Sequence, residues 1–83
     1  MLGKDDNMLE ELRQMAGSGG PAGALANELI SIRDSFERGD LNVEEYQYLL
    51  NEVAQIKAQQ ELATDEIALR YIVSTATLLA SAV

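Results

Sequence analysis

The residues whose type and spacing could do acid–base chemistry include the adjacent carboxylate pairs Glu10-Glu11, Glu44-Glu45 and Asp65-Glu66. Two acids held close together can take different protonation states, so that one donates a proton while the other accepts. Each pair, however, falls near an expected helix start, where the helix dipole alone favours negative charge. A dimetal carboxylate site in a helical bundle would use Glu-x-x-His, and the chain has no histidine. Tyr46, Tyr48 and Tyr71 have no basic residues patterned around them. The expectation is a non-enzyme, with no catalytic, cofactor-binding or metal residues.

Two further patterns imitate ligand sites. Gly17-Ser18-Gly19-Gly20-Pro21-Ala22 formally meets the GxGxx(G/A) spacing that lets a backbone approach a pyrophosphate. That fingerprint needs a preceding strand, whereas Met8-Leu9-Glu10-Glu11-Leu12 is helical in pattern, and no Lys-Ser/Thr follows to make a P-loop. Asp40, Asn42 and Glu44 alternate like the start of a calcium loop. The sixth and twelfth positions of such a loop need Gly and Glu, and here they are Glu45 and Asn51.

Asp40 to Glu45 have a better use. Arg38-Gly39-Asp40-Leu41-Asn42-Val43-Glu44-Glu45-Tyr46 reads as an instruction to close one helix and open another. Gly39 can take the left-handed conformation at a helix end. Asn42 fits the next N-cap with Glu45 as its capping-box partner, and Leu41 and Tyr46 fit the hydrophobic staple. A helical hairpin follows.

The elements around this hairpin are all helical in period. Met8, Leu9, Leu12 and Met15 mark a short amphipathic helix, followed by the Gly-rich stretch 17–23. That helix is either a detachable docking arm or a segment folded back on its own domain. From Ala22 or Ala24 to Arg38, Leu25, Leu29, Ile32 and Phe36 form a narrow seam, with Asp34–Arg38 and Arg33–Glu37 as i,i+4 pairs. Tyr46, Leu49, Leu50, Val53 and Ile56 should face that seam. The apolar pattern fails over Lys57 to Glu61, and Thr64-Asp65 offers a new cap, so a bend or break is expected between about Gln59 and Asp65.

From Ile67 on, Arg70, Ser74, Thr77 and Ser81 make a polar stripe on an otherwise apolar helix, which predicts burial on several sides: the hairpin can cover one, and a second chain or a larger assembly could cover the rest. A membrane span is not expected, because thirteen residues follow Arg70 and crossing a bilayer takes about 20 apolar ones.

Composition bounds the partners. Chains of 83 residues bury only about 60% of their unfolded surface, and the usual reinforcement is a disulfide, a metal or another subunit. The absence of cysteine and histidine leaves oligomerisation or docking onto something larger as the expected source of extra stability. A net charge of −8 with six scattered basic residues disfavours direct nucleic-acid binding and attraction to anionic membranes. The acidic start of the chain lacks a signal-peptide core, so a cytoplasmic location is expected.

The run from Leu29 to Val53, centred on Gly39 to Tyr46, resembles SHOCT-type short helical hairpins, which have a G-x-(I/L)-(T/S)-x-E-E-(F/Y) core and often act as oligomerisation appendages. Asn42 stands where that family usually has Thr or Ser, and basic residues after the aromatic are missing. In general character the chain is also similar to small acidic helical proteins of tailed bacteriophages, which would imply host cytoplasm or virion. The expected organisation is a small all-α bundle: a helix over 1–16, a linker over 17–23 and a hairpin domain over 24–83. The expected function is a non-enzymatic homo-oligomeric assembly or adaptor protein without cofactors, with a larger partner reached through the N-terminal helix. Its interface candidates are Met8, Leu12, Met15, Ile72, Leu79 and Val83. The rival reading is an acidic DNA mimic that inhibits a nucleic-acid-binding protein.

Overall fold

A computed structural model describes residues 4–83, with side chains from Met8 onward. The fold is an all-α bundle. Its helices are α1 (Lys4–Ala16), α2 (Gly20–Glu37), α3 (Val43–Glu52), α4 (Ala58–Glu61) and α5 (Glu66–Ser81), and a π-helical turn, Val53–Lys57, joins α3 to α4 without a break. Among the described residues there is no strand.

The α2–α3 turn follows from local chemistry. Gly39 has φ +86°, the Asp40 N–H donates to the Ser35 carbonyl (2.9 Å), and the Gly39 N–H donates to the Phe36 carbonyl (3.1 Å). These two bonds make a Schellman closure. Asn42 then accepts from the Glu45 N–H (2.8 Å) while Glu45 accepts from the Asn42 N–H (2.9 Å), so the expected capping box is formed. Across the turn, the Phe36 and Tyr46 rings stack with centroids 4.1 Å apart. Arg33 pairs with Glu37 as expected, but Arg38 turns to Asp40 (3.3 Å) instead of Asp34, because the closing turn brings Asp40 back over the helix end.

The face of α3 is re-aimed by the π turn. Tyr46, Leu50 and Val53 are buried as the spacing predicts, but Ile56 is half exposed, and Ala54 and Ala58 take the interior positions after Val53. The Ala58 N–H donates to the Val53 carbonyl, five residues back, so the apolar stripe is displaced around the helix. The chain then breaks where expected: α4 ends at Glu61, Leu62 is buried, and the Asp65 carboxylate caps α5 by accepting from the Ala68 N–H (3.2 Å).

Helices α2, α3 and α5 pack on one another. Gln47, near the start of α3, donates to the Ala80 carbonyl near the end of α5 (3.0 Å), so these helices run antiparallel. The core joins Leu25, Leu29 and Ile32 to Tyr46, Leu50, Val53, Ile72, Ala76 and Leu79. Helix α1 lies against α2. The radius of gyration, 12.0 Å, matches the roughly 12 Å expected for a closed chain of this length.

Candidate interaction surface

Helix α2 is apolar on two sides. Leu25, Leu29 and Ile32 face the central core, while Ala22, Gly23, Ala26 and Ile30 make a second strip of mostly small residues. Gly23 is the point of closest approach to α1: a Cβ there would lie 3.2 Å from both the Met15 and Ala16 carbonyl oxygens. Asn27 extends its amide toward the same Ala16 carbonyl (3.5 Å). Small residues at a helix crossing let backbones approach, and Leu12 of α1 is fully buried.

The connection from α1 to α2 is short. The Gly-rich stretch contributes Gly17, Ser18 and Gly19 to the turn, whereas Gly20 to Gly23 belong to α2. Gly19 and Gly20 have φ +79° and +71°, and no side chain caps the start of α2.

The six interface candidates separate. Leu12, Ile72 and Leu79 are fully buried within the chain itself, and Met8 and Met15 are half-buried against that core. Val83 is half exposed at the end of the chain. As expected, the hairpin covers one side of α5, its main stripe. Ala68, Ile72, Thr75, Ala76 and Leu79 are covered by the chain's own helices, because α2 and α3 both reach α5.

The polar stripe Arg70, Ser74, Thr77 and Ser81 lies exposed, with Thr77 and Ser81 donating back to helix carbonyls. Beside it, two aliphatic side chains remain in solvent: Ile67 at 85% exposure and Leu78 at 56%. They are three helical turns apart on one face, with exposed Ser74 and half-buried Tyr71 between them. A second exposed apolar element is Tyr48 (66%), which with Leu41 and Leu49 lines a shallow depression bounded by Glu44 and Glu45.

Electrostatics tie the elements together. The Lys57 ammonium pairs with Glu28 across the hairpin, and this hydrogen bond raises the Lys57 pKa despite partial desolvation. For Arg33, burial opposes the charge, but the Tyr46 hydroxyl and Glu37 outweigh it and raise its pKa. Tyr71 is raised by burial, partly countered by the Thr75 hydroxyl one turn away, with Glu11 of α1 adding to the rise.

Two of the carboxylate pairs do structural work: Glu45 and Asp65 are caps, and Glu66 pairs with Arg70, whereas Glu10-Glu11 lies in the middle of α1 and not near the helix start expected for it. Among the described residues no group of three potential ligands is placed to hold a metal ion, and no helix is long and apolar enough to cross a membrane. No family model, curated protein or solved structure matches the chain. Sequence reading missed the second strip of α2, because Ala and Gly carry little hydrophobic signal. The i,i+4,i+8 spacing of Ala22, Ala26 and Ile30 was the available clue.

Proposed function

We propose that this chain is a non-enzymatic assembly or adaptor protein that works by self-association and protein–protein contacts. Small acidic helical proteins of tailed phages are the setting its character suggests. The observation that carries the reading is the Ile67–Leu78 row, aliphatic surface left in water on a helix whose other faces are covered or polar. Burial of such side chains is worth about 1.5–3 kcal/mol each, which gives a second copy a reason to cover them. The DNA-mimic alternative is weakened because Glu45 and Asp65 serve as caps while Glu28, Glu37, Asp40 and Glu66 each pair with a cation.

The test is solution mass by light scattering after size exclusion, over a concentration series. The expected mass exceeds 9.0 kDa and rises with concentration, and the double substitution Ile67→Glu/Leu78→Glu returns it to the monomer value. A monomer mass for the unaltered chain at every concentration refutes self-association.

A further inference from the structure

We propose that α1 is an exchangeable segment, docking on α2 of a second copy of the chain as well as on its own. Three observations lead there. The seat on α2 is specific, because Ala22, Gly23 and Ala26 allow a backbone approach that only a closely fitting helix exploits. The helix filling it is α1, and a second copy carries the identical helix, so exchange preserves every contact of the closed form. The connection over residues 17–19 is short and glycine-rich: Ser18 closes α1 through its hydroxyl on the Met15 carbonyl, no side chain caps the start of α2, and both positive φ values at that start belong to glycines that can straighten without steric penalty.

Opening α1 uncovers two complementary apolar faces at once, one on α1 and one on α2. They are satisfied by reclosing or by a neighbour in the same state. A short connection limits the ways in which α1 can reclose on its own chain, so its length sets the balance. The charge of −8 opposes the meeting of two copies, so added salt should shift the balance toward exchange.

The proposal rests on the self-association reading only in needing copies to meet, and its surface is separate from the Ile67–Leu78 row. The antiparallel register set by Ala16 against Gly23 and Asn27 brings Leu12 level with Ala26 and Ile30. In an equal mixture of isotope-labelled and unlabelled full-length chain, isotope-filtered NMR should give cross-peaks from Leu12 methyls of one copy to Ala26 or Ile30 methyls of the other. Absence of these cross-peaks in a mixture incubated to equilibrium at high salt overturns the exchange.

A second variant amplifies the effect. Deleting Ser18 and Gly19 leaves too little chain for α1 to reverse onto its own α2. The expected result is a doubling of the 9.0 kDa mass with α1 still helical, unaltered by Ile67→Glu/Leu78→Glu. A monomer with an unfolded α1, or a dimer that those two substitutions dissolve, rejects the proposal. The second of these outcomes would leave self-association through α5 standing.

Discussion

The two turns that enter and leave α2 are locked to different degrees. At its C-terminal end, Gly39 closes the helix, Asn42 and Glu45 cap the next one, and the Phe36–Tyr46 stack locks the angle. At its N-terminal end, Ser18 closes α1 by donating its N–H and hydroxyl to the Met15 carbonyl (3.0 and 2.6 Å), but no side chain caps α2, Gly19 and Gly20 supply the bend, and no ring stack locks the two helices across it. A turn specified by its own hydrogen bonds is rigid before the tertiary structure forms. A turn whose second helix is uncapped and which has no lock across it leans more on packing, and so belongs to the part of the molecule that opens first.

Substitutions can break this contrast. The largest effect is expected at Leu50, fully buried between the helices of the core, where Leu50→Ala should lower global stability by about 2–5 kcal/mol. Chemical denaturation followed by circular dichroism would show this as one cooperative transition at lower denaturant. Gly23→Leu should cost less, about 1–3 kcal/mol of overpacking, and selectively at α1, since the added side chain meets the Met15 and Ala16 carbonyls. Hydrogen exchange should lose protection over 8–16 while 46–53 stays protected. Equal loss in both regions would mean that the two turns are locked alike.

A smaller effect is expected from Asn42→Ala, about 1 kcal/mol, because one cap bond of the box is lost while the Schellman closure remains. Amide exchange at Glu45 should accelerate more than that at Leu12. The smallest effect concerns pH. Lys57 and Tyr71 both hold their protons more tightly when folded, so their contributions are complete below about pH 10 and fade as pH rises through the folded values. The melting temperature should therefore be flat from neutral pH upward and fall at strongly alkaline pH. Glu28→Gln should reduce that alkaline slope and change neutral stability by about 1 kcal/mol or less, since the pair is partly exposed.

How far the sequence could be read follows the same division. The hairpin turn, the α5 cap at Asp65 and the break after Glu61 were legible because each is made by hydrogen bonds between residues at most five positions apart. The inward face beyond Val53 was not, because a π turn carries no residue signature, yet it brings Ala58 inward where the α-helical period would place Lys57, while Ala54, one turn after Leu50, and the exposure of Ile56 already follow that period. Of the interaction surface, Val83 was named and is half exposed, whereas Ile67, Leu78 and Tyr48 were passed over in favour of the buried Ile72 and Leu79. Hydrophobicity alone ranks these side chains alike, and only the positions of α2 and α3 decide which are covered.

By itself, then, the sequence determined an acidic all-α chain without thiol or imidazole chemistry, together with the ends of its central helices, since composition and short-range hydrogen bonding suffice for both. Tertiary structure alone decided that α1 folds onto α2 over Gly23 and that α5 buries its main stripe within the chain while leaving Ile67 and Leu78 in water. Those outcomes depend on distances between residues far apart along the chain, which local periodicity does not encode.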